Sequence, residues 1–349
     1  MALSIADSLA QYRNQAKENL PPEIWRYLDD PGEHHNTHAL GSVRLMPRPL
    51  RNLSGGHTRL TLFGQALDHP ILLAPVAYQK LFHPDGERAS ALAASAQGGQ
   101  MVISSLASHR FSDIVACTRA DEGSTNSSPT PWFQLYWQAG RGPTLELLNR
   151  AVSAGCSAVV LTVDAPVKVA SLELPPGIEA INLPHASPSA TTNGTVFSAL
   201  MAQAPTWDDV AWLRKQTPLP LLFKGLLHPD DAQQALDVGC DGVVVSNHGG
   251  RTLASAPASI DCLESVVRQV NGQVPVLFDS GLRSGQDVFT ALAFGASAVL
   301  LGRPYIWALA ANGPLGVAHV IRLLRDELEL TMALTGCADL KGIGRHCLA

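Results

Sequence analysis

The chain has 349 residues, 46% of them apolar and 16% charged, which is enough apolar material for one large core. A net charge of −5 and a pI near 6.2 exclude the broad basic face of a general nucleic-acid binder and leave room only for a local basic pocket. Six scattered cysteines without metal-ligand spacing, no signal-peptide pattern, no apolar run long enough for a membrane span and no peroxisomal ending in Cys347-Leu348-Ala349 predict a cytoplasmic protein with reduced thiols.

Residues 1–70 are expected to form an N-terminal extension, with a helix near Ile5–Leu28 followed by an irregular polar stretch. Eight short apolar runs bounded by turn residues then read as buried strands. They are Ile71–Tyr78, Met101–Leu106, Trp132–Trp137, Ala158–Asp164, Leu221–Gly225, Gly242–Asn247, Val274–Gly281 and Ala298–Arg303. Helical patterns lie between them. Glu87–Gln97 is expected to bury Leu92, Ala93 and Ala96, and Thr144–Ala154 to bury Leu145, Leu148 and Val152. Asp230–Val238 and Gln286–Phe294 read the same way. A glycine joint recurs before three of the strands, at Gly155-Cys156-Ser157, Gly239-Cys240-Asp241 and Gly295-Ala296-Ser297, each suited to end a helix in a left-handed cap. Alternating strands and helices predict an α/β fold, a (β/α)₈ TIM barrel formed by one domain over 1–349, with a doubly wound open sheet as the alternative. Residues 165–205, rich in Pro, Ser, Thr and Ala, read as a long loop after the fourth strand, and Val317–Leu334 as a C-terminal capping helix.

In such a barrel the reactive residues stand at the C-terminal strand ends. Those ends carry Pro75-Val76-Ala77, Ser104, Gln134 with Tyr136, Thr162 with Asp164, Lys224, Ser246 with His248 and Arg251, Asp279-Ser280-Gly281 with Arg283, and Gly302-Arg303. So many polar groups at one mouth call for a polar ligand, because each buried and unpaired group costs about 1–3 kcal/mol. Gly281, Arg283, Gly302 and Arg303 follow the last two strands, where a phosphate is expected. Lys224 interrupts an apolar strand and reads either as a Schiff-base lysine or as a cation facing an anionic ring. His248 beside two glycines suits proton abstraction, with Asp164 placed to hold its imidazole. His34, His35, His57 and His109 lack such surroundings, and there is no Walker loop, dinucleotide fingerprint or zinc spacing.

From about residue 20 to 345 the sequence resembles the FMN-dependent 2-hydroxy-acid oxidases and dehydrogenases. The resemblance is carried by FQLY (133–136), LTVDAP (161–166), VSNHGGR (245–251), DSGLRSGQDVFTALAFGA (279–296), GRPYIWALAANGPLGV (302–317) and ELTMALTGC (329–337). It implies FMN with its phosphate on Gly281, Arg283, Gly302 and Arg303, and Asp279, beside Ser280, on the ribityl chain. Pro75, Val76 and Ala77 would meet the reactive edge of the flavin, and Ser104, Gln134, Thr162 and Ser246 its polar rim. Lys224 would stabilise the reduced ring. Tyr27 and Tyr136 would orient a small 2-hydroxy acid, Arg251 would bind its carboxylate and His248 would take its proton. Removal of the hydroxyl proton leads to hydride transfer, and removal of the α-proton leads to a carbanion. The sequence leaves both routes open.

Two departures stand out. The family's second substrate arginine is missing after LTVDAP. Ser171 falls near its place in a segment about seven residues short by the family's pattern, so that recognition differs, Lys168 partly substitutes as a point charge, or residues are missing from the sequence. Leu106 replaces a tryptophan of glycolate oxidase, which would widen the pocket. Residues 172–205 contain no Lys or Arg, which argues against membrane docking, and Ala77 leans toward oxygen as acceptor, giving hydrogen peroxide, over a quinone or other carrier. The resemblance also implies a homotetramer. The competing expectations are a lyase or isomerase working through Lys224 and a flavin binder without activity.

Overall fold

The computed structural model describes residues 5–29, 31–119, 129–165, 173–184 and 195–349. The extension opens with α1 (Ile5–Asn19) and α2 (Pro22–Leu28), not one helix. Pro21 and Pro22 enforce the break: Pro21 is extended (φ −53°, ψ 145°) and Pro22 starts the second helix, where its missing N–H costs nothing. The stretch expected to be irregular contains α3 (His34–Ser42) and an antiparallel hairpin, β1 (Leu60–Leu62) and β2 (Gln65–Leu67). The two-residue hairpin loop is Phe63-Gly64, both at positive φ (48° and 77°), a conformation that Asn-Gly usually signals and Phe-Gly hides.

Eight parallel strands follow: β3 (Ile71–Leu73), β4 (Gln100–Ser104), β5 (Trp132–Tyr136), β6 (Val159–Thr162), β7 (Leu221–Leu226), β8 (Gly242–Val245), β9 (Val276–Asp279) and β10 (Ala298–Leu301). They close in the order β10-β3-β4-β5-β6-β7-β8-β9, which makes the sheet a barrel and excludes the open-sheet alternative. Each observed strand other than β7 stops short of its expected C-terminal end, because there the backbone turns to line the mouth. Between and after the strands run α4 (Gly86–Ala96), α5 (Phe111–Ala116), α6 (Arg141–Ala154), α7 (Trp207–Arg214), α8 (Pro229–Asp237), α9 (Ser259–Val270), α10 (Gly285–Ala293) and α11 (Arg303–Thr335). The expected capping helix is the second half of α11. Asn312 and Gly313 leave helical geometry just before Pro314 and divide α11 into two halves, both touched by α1: Asn19 donates to Ala310 O (3.1 Å) before the kink and Tyr12 meets His319 (2.7 Å) after it.

The helix faces correct two expectations. Leu92 is 51% exposed and Ala96 is exposed too, while Ala89, Ser90, Ala91, Ala93 and Ala94 are the buried small residues of α4, which packs against α11. Val152 is 39% exposed, while Leu147, Leu148 and Ala151 form the inner face of α6. Gly155, Gly239 and Gly295 all take positive φ at the ends of α6, α8 and α10, as the repeated joint predicts. Within the stretch expected to be a loop, Asn182 is buried. Its amide group donates to His109 O (2.8 Å) and accepts from Phe111 N–H (3.1 Å), pinning residues 173–184 to the barrel.

The period of two along a strand sorts the core. Leu73, Ile103, Phe133, Leu161, Phe223, Val245 and Phe278 face outward to the helices. Leu72, Val102, Trp132, Val160, Leu222, Val244, Leu277 and Leu300 fill the interior, and Leu62, Leu67 and Phe63 of the hairpin close its N-terminal end against Trp132. One step further along the same inward face, the side chains become polar: Ser104, Gln134, Thr162, Lys224, Ser246 and Asp279, all buried. The apolar floor of the barrel and its polar mouth are thus successive layers of one alternation.

Candidate active site

The polar layer opens into a partly open cavity at the barrel mouth, with about 930 Å³ of empty space, solvent at its mouth included. Every C-terminal strand end contributes to its surroundings. Pro75, Val76, Ala77, Ser104, Tyr136, Thr162, Lys224, His248, Arg251, Asp279, Ser280, Gly281, Arg283, Gly302 and Arg303 line it, together with Tyr27 and Glu33 from the extension. Gln134 and Ser246 stand behind this wall. Gln134 accepts from Ser104 Oγ (3.3 Å) and donates to Thr162 Oγ1 (3.0 Å), whereas Ser246 Oγ accepts from Lys224 Nζ (2.8 Å) and from His248 N–H (3.0 Å). Leu106 is buried and is not among the residues that line this cavity. Lys168 and Ser171 lie outside the described residues.

The His248 ring is held at both nitrogens. Its Nδ1 lies 3.0 Å from Asp164 Oδ1 and its Nε2 lies 3.3 Å from the Tyr136 hydroxyl. A carboxylate on Nδ1 fixes the proton there and leaves Nε2 as the acceptor toward Tyr136 and the cavity. The backbone presents the ring at φ 59°, a left-handed geometry that histidine adopts more readily than most side chains. Gly249 and Gly250 continue at positive φ. Their N–H groups donate to Ser280 Oγ (3.0 Å) and Asn247 Oδ1 (3.1 Å). A Cβ at Gly250 would stand 2.2 Å from Gly32 O, so the extension itself requires that glycine.

Burial pushes the Asp164 carboxyl up, but its hydrogen bond to His248, the charge of that ring and Lys224 outweigh burial and hold it below the usual aspartate range. It therefore stays ionised at neutral pH. Among the described residues its Oδ2 has no partner. Room for Asp164 comes from Gly225, at φ 105° on the irregularity between β7 and β8, where a Cβ would meet Asp164 Cγ at 2.4 Å. Burial lowers the pKa of Lys224, yet Asp279 (2.9 Å) and Asp164 more than offset this and raise it above that of an ordinary lysine, so the ammonium stays charged. The Tyr136 hydroxyl is raised as well, by burial first and by Asp164 second, and stays protonated.

Arg251 donates to Tyr27 O (2.8 Å) and Leu28 O (3.0 Å), with its guanidinium 5.3 Å from the Tyr27 ring centre, which ties a strand-end loop to α2. Sequence reading missed Gly225 and three more residues that shape the site. Asn36 and Asn247 exchange amide hydrogen bonds (3.0 and 2.9 Å) under the His248 loop. Glu33 bridges Arg283 and Arg303 (3.0 Å to the latter). Nothing local marks Asn36 or Glu33, whose partners lie over 200 residues away. Asn247, beside His248, was within reach.

The family described as FMN-dependent dehydrogenase matches residues 16–349. The chain is 42% identical over 366 residues to an L-lactate oxidase of Alicycliphilus denitrificans, covering 95% of this chain and 98% of that protein. It is 38% identical over 357 residues to glycolate oxidase 3 of Arabidopsis thaliana, covering 97% and 94% respectively. A solved structure of mandelate oxidase with benzoyl-formic acid superposes with a TM-score of 0.85 at 38% identity, over 98% of this chain and 97% of that one.

Proposed function

Because the chain belongs to the FMN-dependent dehydrogenase family, we propose that it oxidises an L-2-hydroxy acid to the 2-oxo acid with bound FMN, passing the electrons to oxygen and forming hydrogen peroxide. The observation that carries this reading is the Asp164–His248–Tyr136 array beside a buried ammonium in one cavity. The lining fits the cofactor: Gly281, Arg283, Gly302 and Arg303 would hold the phosphate, Asp279 and Ser280 the ribityl chain, and Pro75 to Ala77 with Ser104 and Thr162 the ring, with Gln134 and Ser246 supporting them from behind. When bound, FMN supplies a two-electron acceptor that no side chain offers.

The protein's own residues supply the rest. His248 Nε2 takes the substrate proton, and Asp164 stabilises the imidazolium formed. The Tyr136 hydroxyl, kept protonated, donates toward substrate oxygen, and Tyr27, in the same cavity lining, helps orient the substrate. Arg251 binds the substrate carboxylate. Lys224, a buried ammonium in the cavity wall, would stabilise the negative charge on reduced FMN. The same pairing argues against the lyase alternative, since a Schiff base needs a neutral amine and Lys224 is held charged by two carboxylates.

We further propose that 1–349 acts as one FMN-binding domain and that the enzyme is a cytoplasmic homotetramer, on the strength of the resemblance and of six free cysteines. Among the described residues no helix is long and apolar enough to cross a membrane. The test is anaerobic titration of the FMN-loaded protein with L-2-hydroxy acids of graded size, followed by readmission of oxygen. Bleaching by one or more acids, then recovery with peroxide, is expected. Flavin that stays oxidised with the whole series refutes the substrate class, and bleaching without oxygen recovery refutes the acceptor.

A further inference from the structure

The donors assigned to phosphate already hold an anion of the chain itself. Glu33 ends the short helical turn Pro31–Glu33 between α2 and α3 and projects into the cavity. Its Oε2 pairs with Arg303 Nη1 at 3.0 Å and with Arg283 Nη2, and its carboxylate also takes the backbone N–H of Gly281. Burial raises this acid, but the two guanidinium groups and the Gly281 N–H more than offset it, so the carboxylate is charged at neutral pH. One glutamate thus occupies two arginines and a glycine amide from the ends of β9 and β10, a set of donors arranged for phosphate.

The arginines do not need Glu33 to hold their places. Arg303 donates through Nε to Leu28 O (2.9 Å) and through Nη2 to Gly249 O (3.3 Å). Arg283 donates through Nη1 to Leu282 O (2.8 Å) and lies 4.8 Å over the Trp307 ring. The cradle is therefore built without the glutamate, and the glutamate fills it.

We infer that Glu33 is a built-in competitor for the phosphate subsite, and that it determines which anions the subsite accepts. A tethered carboxylate is present at high effective concentration, so a free monocarboxylate, the proposed substrate included, gains little by displacing it. A phosphate monoester carries a second charge and further acceptor oxygens and can outcompete it. Glu33 thus keeps carboxylates off the arginine pair and yields those donors when FMN loads. This inference rests on assigning the phosphate to Gly281, Arg283, Gly302 and Arg303.

The test uses apoprotein and the quenching of flavin fluorescence, with FMN and riboflavin as probes. Glu33→Gln should bind FMN about tenfold more tightly than the parent, while riboflavin affinity changes less than about twofold. Acetate should weaken FMN binding to Glu33→Gln and leave the parent unaffected. FMN affinity equal to or below the parent's, or equal sensitivity to acetate, overturns the inference. If Glu33→Gln fails to fold, Glu33→Asp, one methylene shorter with its charge kept, carries the same test, since a looser grip must again tighten FMN binding. Arg283→Ala separates the underlying assignment: it should lose the preference for FMN over riboflavin. Retention of that preference overturns the phosphate assignment itself, whatever Glu33 does.

Discussion

Replacing Asp164 by Asn changes one charge at the centre of the array with little change of shape. Asn Oδ1 can still accept from His248 Nδ1 at the 3.0 Å separation, and the oxygen replaced by an amide group has no partner among the described residues. What disappears is the attraction between a carboxylate and the imidazolium formed when His248 takes the proton. Two unit charges about 4 Å apart attract by about 4 kcal/mol at an effective dielectric constant of about 20. The retained hydrogen bond offsets part of this, leaving a loss of about 2–3 kcal/mol, or about 30- to 150-fold in rate. The assay is anaerobic stopped-flow reduction of the FMN-loaded variant by its best 2-hydroxy acid, with FMN affinity measured alongside. A rate within about threefold of the parent, with FMN binding intact, would refute the role of Asp164 as the partner of the imidazolium.

Gly225→Ala should force Asp164 aside, at a cost of about 1–3 kcal/mol from overpacking, and slow reduction with it. Thermal melting and stopped-flow reduction check both effects. Lys224→Met leaves the Asp279 carboxylate buried without its cation, so the urea midpoint should fall by the equivalent of about 3–5 kcal/mol, and adding Asp279→Asn should restore part of it. Acid sensitivity follows from the lowered acids Asp164 and Glu33. Their contribution is present above the unfolded carboxylate range near about 4 and is lost as pH falls through their lower folded values. Asp287 and Glu327 are raised and act oppositely, so the clean comparison is between variants: urea midpoints from pH 7 downward should decline less steeply in Asp164→Asn than in the parent.

The barrel was legible because the buried strands are short, mostly apolar runs bounded by turn residues and glycine ends the helix before three of them. The mouth was legible because an inward position that holds Leu222 or Val244 is followed two residues later by Lys224 or Ser246, a change of chemistry on one face. Helix faces were less legible where small residues do the packing, as with Leu92 turned outward above an alanine surface. The hairpin at Phe63-Gly64 escaped because its turn lacks the usual residues. The extension's share of the site was the least legible part. Gly250 is required by Gly32, Gly281 by Asn36 at 2.7 Å, and Arg283 pairs with Glu33, but these contacts join residues remote in sequence.

The account depends above all on His248 as the base. Anaerobic mixing of FMN-loaded His248→Ala with saturating 2-hydroxy acid should leave the flavin absorbance unchanged on the timescale of parental bleaching, with FMN still bound. Bleaching at the parental rate would contradict the account directly.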